Sequence, residues 1–65
     1  MNTFKFIPVS VLVDKTDTQL QFINCDHIQR IWQNEDTVYI EMVDYTVLQV
    51  PNENLHNLIE RFIRS

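Results

Sequence analysis

The apolar residues of this chain follow two different periods. From Phe4 to Val13 they alternate, with Ile7, Val9, Val11 and Val13 on one side. A period of two is that of a half-buried β-strand. Pro8 interrupts the run. It has no N–H to give to a ladder, so this strand is expected to be an edge or to be bulged there. Thr18 to Ile23 places Leu20 and Phe22 together, and Ile28 to Gln33 is a short stretch holding Ile28, Ile31 and Trp32. Thr37 to Met42 alternates most regularly, with Val38, Ile40 and Met42 opposed to Thr37, Tyr39 and Glu41. Tyr45 to Val50 follows after a tight connection, with Thr46, Leu48 and Val50 opposed to Tyr45, Val47 and Gln49. The last two strands should form a hairpin.

Beyond Pro51 the period changes. Leu55, Leu58, Ile59, Phe62 and Ile63 fall at i, i+3, i+4, i+7 and i+8, which is one apolar stripe on a helix. Asn52 is the expected N-cap. Glu53 stands at the positive end of the helix dipole, and Arg61 and Arg64 stand at the negative end. At about 12 residues such a helix is marginal alone and must pack on the sheet. The pattern predicts an α+β fold in a single domain, residues 1–65. It comprises an antiparallel sheet of four to five strands, flat or curled, with one C-terminal amphipathic helix packed on it.

One helix covers one face of a sheet. Val38, Ile40, Met42, Leu48, Val50 and part of the first strand can supply that face. A second set then remains: Phe4, Phe6, Trp32, Tyr39, Tyr45 and Val47. Either the sheet curls and takes some of these into the core, or they form an exposed patch of the kind that meets a partner. Both outcomes are compatible with a homodimer.

Composition narrows the function more than the fold. There is no glycine, so each tight turn is expected to use Asn, Asp or ordinary residues in type I geometry. Candidate turns are Asp14-Lys15-Thr16-Asp17, Asn24-Cys25-Asp26-His27, Asn34-Glu35-Asp36 and Val43-Asp44. The same absence removes phosphate-binding and dinucleotide fingerprints. The five basic residues are scattered and the net charge is −4, which argues against nucleic-acid binding. Cys25 is the sole cysteine, so no internal disulfide can form, and a lone thiol fits a reducing compartment. Met1 to Lys5 does not read as a secretory leader, and no apolar run approaches the ~20 residues of a membrane helix. The expected location is the cytoplasm. A chain of this size needs support beyond its own core, and self-association is the support left to it.

Candidate chemistry is sparse. Cys25-Asp26-His27 could suggest a metal or a thiol nucleophile, but a structural zinc wants four ligands, the only other histidine is His56, and adjacent Cys and His point in different directions in most turns. The segment reads as a turn with a capping Asp26 and a buried or half-buried Cys25. His56 reads as a solvated helix residue. Glu35, Asp36, Glu41 and Asp44 cluster around one hairpin, where no cleft would shift their pKa values, so they read as turn and solubility residues. No catalytic residue, metal or cofactor is expected. Trp32, Tyr39 and Tyr45 carry more weight, because aromatic rings with a polar tip are enriched at binding surfaces. With Arg30 as a charged anchor, and Phe4 and Phe6 beside them, they form the expected interaction surface.

From Phe22 onward the order of segments resembles the small FlbD/SwrD-type flagellar accessory proteins. The parallel segments are Phe22-Ile23-Asn24, Ile28-Gln29-Arg30-Ile31, Asp36-Thr37-Val38-Tyr39-Ile40, Tyr45-Thr46-Val47-Leu48-Gln49-Val50 and the final helix. The family's glycine-containing turns are replaced here by Lys15-Thr16-Asp17 and Val43-Asp44. The resemblance implies a strand–hairpin–helix fold and a non-enzymatic accessory role. The last three strands and helix are also similar to the tail of LytTR-type DNA-binding domains, whose activity the acidic charge argues against. The expected function is a small homo-oligomeric interaction module that binds a protein partner. The alternative is a protein that binds or sequesters a small anionic ligand between subunits, in the manner of a phage counter-defence factor, using Arg30, Arg61 or Arg64.

Overall fold

A computed structural model describes residues 6–64. Phe4, one of the expected surface residues, lies outside the described residues. Strand β1 (Phe6–Leu12) and strand β2 (Thr18–Asn24) form an antiparallel hairpin whose register runs unbroken from Phe6 opposite Asn24 to Leu12 opposite Thr18. A 3-10 turn (Cys25–His27) leads into a meander of β3 (Ile28–Asn34), β4 (Thr37–Met42) and β5 (Val47–Pro51). Helix α1 (Leu55–Arg64) closes the chain. The architecture is the expected α+β, with five strands and one C-terminal helix among the described residues, but the strands form two sheets instead of one.

Pro8 accounts for part of that division. It sits opposite Phe22 without interrupting the register, so there is no bulge. Lacking an N–H, Pro8 leaves a gap in the edge of β1 that faces away from β2. Its carbonyl on that edge accepts a hydrogen bond from the Arg61 guanidinium of α1. β1 runs beside β5 without a ladder between them.

The two sheets share one core. Ile7, Val9 and Val11 of β1, Ile23 of β2, Val38 and Ile40 of β4, Val50 of β5 and Leu58 of α1 are all buried in it. Burying an aliphatic side chain of this size contributes roughly 1.5–3 kcal/mol. Leu55 and Phe62 pack against this cluster from the helix. Ile63 does not, and is 77% exposed. It lies about 100° round the helix from Phe62, so the apolar stripe is wider in sequence than the face that meets the sheets. No helix among the described residues is long and apolar enough to cross a membrane.

Several local expectations are corrected. The helix N-cap is Asn54, whose Oδ1 accepts from the Asn57 N–H at 3.2 Å while its carbonyl accepts from Leu58 at 3.0 Å. Asn52 lies in the link before it with φ 56°, away from the extended conformation that an N-cap adopts. The Cys25–His27 turn is capped by Asn24, which accepts from the Asp26 N–H at 2.9 Å, and not by Asp26. The turns also do without glycine less gently than type I geometry would allow. Glu35 and Tyr45 join Asn52 in the left-handed region, at φ 56° and 72°. Glu35 opens a two-residue hairpin loop between Asn34 and Thr37, where a positive φ matches the twist of the strands. Tyr45 belongs to the β4–β5 turn, so β5 starts two residues later than the alternation suggests.

The face of β2 is set by register. Gln19, Gln21 and Ile23 stand opposite Val11, Val9 and Ile7 and share their side of the hairpin. Leu20 and Phe22 therefore point outward, each 64% exposed.

Candidate interaction surface

The antiparallel register of the meander builds a row of side chains on its outer face. Inward positions are taken by Ile31, Val38, Ile40, Leu48 and Val50, so the residues between them turn away from the core. Trp32 stands opposite Tyr39, and Tyr39 stands opposite Gln49. One step along, Arg30 stands opposite Glu41, and Glu41 stands opposite Val47. Arg30 shares this face with Trp32 by simple alternation, and the register shift between Ile28 and Arg30 comes just before it in the chain.

These residues are locked to one another. The Trp32 and Tyr39 rings stack with centroids 5.5 Å apart and planes 8° from parallel. The Arg30 guanidinium carbon lies 5.2 Å from the centre of the Trp32 ring, within reach of a cation–π attraction. Arg30 Nε donates to Glu41 Oε1 at 3.0 Å, and its terminal nitrogen lies 2.8 Å from the same oxygen. Glu41 is only 8% exposed, while the Arg30 side chain remains largely in solvent. The contact is thus a carboxylate seated in the sheet surface with an arginine folded across it. Since Arg30 is mostly solvated, the ion pair itself contributes at most about 1 kcal/mol. Its larger effect is to hold the guanidinium over the indole ring.

The residues expected to form one surface divide into groups. Arg30, Trp32 and Tyr39 come together. Phe6 lies on the outer side of β1 and is 45% exposed. Tyr45 projects from the β4–β5 turn and is 73% exposed. The four acids also separate: Glu35 and Asp36 lie at one end of β4, Asp44 at the other, and Glu41 is a buried member of the aromatic row instead of a turn residue. Asp44 Oδ1 accepts from the Thr46 N–H at 3.0 Å, and that backbone hydrogen bond holds its carboxyl below the ordinary value. The sequence does not mark Glu41 as a surface-building residue, because its partner Arg30 is set only by the β3–β4 register; its alternation with Tyr39 on the outward side is the one signal the sequence carries.

Elsewhere, a shallow polar cleft is lined by Gln33, Asp36, Asn52, Glu53, Asn54 and Asn57. Much of its polarity is already used. Gln33 Oε1 accepts from the Leu55 N–H at 2.9 Å, and the Glu53 N–H donates to the Asp36 carbonyl at 3.1 Å. Among the described residues no three His, Cys, Asp or Glu side chains converge as a metal site would require. No protein-family model, curated protein or solved structure matches the chain.

Proposed function

We propose that this protein is a small, self-associating interaction module that docks a protein partner on the outer face of the β3–β5 meander and acts in the cytoplasm without catalysing a reaction. The observation that supports it is the preassembled Arg30–Trp32–Tyr39–Glu41 row. Large aromatic side chains held in one rotamer lose little freedom on binding, and Trp, Tyr and Arg dominate binding hot spots. The resemblance to small flagellar accessory proteins points the same way. The alternative, an anionic small ligand, draws less support. Arg30 lies beside Glu41, Arg61 lies 3.7 Å from Glu53, and Arg64 lies 3.3 Å from Glu60, so each of these arginines already has a carboxylate.

The test is site-specific photo-crosslinking in the cell that makes the protein. A photoreactive residue at Gln49, beside Tyr39 on the outer face, should yield adducts of discrete mass. The same residue at Asn57 on the helix should not. The adducts should disappear in Trp32→Ala and Tyr39→Ala variants that keep a folded circular-dichroism spectrum. Adducts that persist in both folded variants refute the aromatic row as the docking face. Variants that both unfold would place these rings among the residues that hold the sheet together and refute it equally.

A further inference from the structure

We infer that two copies of this chain associate by antiparallel pairing of β2 with β2, joining their hairpins into one four-stranded sheet. The inference rests on the self-associating part of the function proposed above and specifies which edge is used. Pro8 fixes the direction of the backbone groups. Its carbonyl turns away from β2 to meet Arg61, and it has no N–H, so Pro8 and Phe22 face each other as a pair without ladder bonds. Phe22, and with it Leu20 and Thr18 at the same parity, must then aim N–H and C=O at the outer edge of β2. Among the described residues no strand occupies that edge.

Exposed edges are ordinarily guarded by charge, proline or a bulge. β3, the outer strand of the other sheet, carries both Arg30 and a register shift. β2 carries none of these: Thr18-Gln19-Leu20-Gln21-Phe22-Ile23-Asn24 has no charged residue and no proline, and its register is continuous. The segment is also self-complementary. A two-fold axis through Gln21 sets Leu20 opposite Phe22 of the other copy and Thr18 opposite Asn24, each pair matched in polarity. Leu20 and Phe22 have their edge groups free at that register, so they exchange ladder bonds with their counterparts, and four exposed apolar side chains gather on one face. For a chain of net charge −4, an uncharged edge is also where a second copy approaches with least repulsion. These features favour a second copy over a foreign strand.

The experiment is solution mass by light scattering over a concentration series, with charge variants on the exposed side of β2. The parent protein is expected at twice the chain mass. Leu20→Glu should halve the mass with the circular-dichroism spectrum unchanged, because Leu20 makes little contact with its own core. Adding Phe22→Lys to Leu20→Glu should restore the doubled mass, since this register sets the two new charges opposite one another across the axis. In a Cys25→Ser background, Gln21→Cys should cross-link to itself on oxidation, because a pair of this type on the axis lies about 4.5 Å apart at Cα, within disulfide range. A monomer at every concentration overturns the inference and leaves docking on the aromatic row to its own test. A dimer that ignores Leu20→Glu, or that the double variant does not rescue, keeps self-association but overturns the β2 edge.

Discussion

At the scale of single residues, the absence of glycine puts a measurable load on the turns. Glu35 and Tyr45 occupy left-handed backbone conformations in which a Cβ crowds the carbonyl, at a cost of roughly 1–2 kcal/mol each. Asn52 tolerates the same region better, because its short polar side chain can bond locally. Replacing Glu35 by glycine removes the crowding while adding freedom to the unfolded chain, so the two effects partly offset. Glu35→Gly should therefore stabilise the protein by up to about 1 kcal/mol, read as a higher urea midpoint with an unchanged slope. A lower midpoint would show that the turn does not need its positive φ. The residue chemistry was legible where one side chain decides the outcome: Pro8 in an unpaired edge position, Asp44 in a turn, the arginines at the helix end. It was not legible where backbone geometry decides, since nothing in Glu35 or Tyr45 as residue types announces a left-handed conformation.

At the scale of elements, periodicity carried the reading and register limited it. The alternation in β1, β4 and β5 identifies the core-facing sets Ile7–Val9–Val11, Val38–Ile40 and Leu48–Val50, because each strand has one side much more apolar than the other. In β2 alternation sets Leu20 and Phe22 together but leaves their face open, and pairing with β1 turns the glutamines to the inner side. Once β1 commits Val9 and Val11 to the core, its partner has no choice of face. The same dependence hides the Arg30–Glu41 contact, whose members lie eleven residues apart and meet only through the β3–β4 ladder. The apolar stripe marks the helix, but residue type does not fix its start, because Asn52 and Asn54 are equally good caps. Asn54→Ala should cost about 1 kcal/mol in thermal or urea unfolding, whereas Asn52→Ala should act only through its backbone conformation. Equal losses at the two positions, both with the helical signal weakened, would contradict the capping assignment.

At the scale of the molecule, one buried leucine joins two small sheets. Neither a two-stranded hairpin nor a short helix is stable alone, so each depends on the shared core. Leu58 is fully buried among residues from β1, β2, β4 and β5. Leu58→Ala should cost roughly 2–5 kcal/mol, enough to unfold much of a domain this small. Amide hydrogen exchange on the parent protein should show β1 and β4 opening together at the same free energy. If β1 exchanges well below β4, the hairpin and the meander are separate cooperative units, and the helix does not bind them into one.

The stack of Trp32 on Tyr39 has an optical consequence. Trp32 is the only tryptophan of the chain, and it lies flat against a tyrosine and under a guanidinium on an outer face. All the indole emission of the molecule thus originates at the one place where a partner is proposed to dock. The protein carries its own chromophore for that event, and its emission spectrum needs no label and no correction for a second indole.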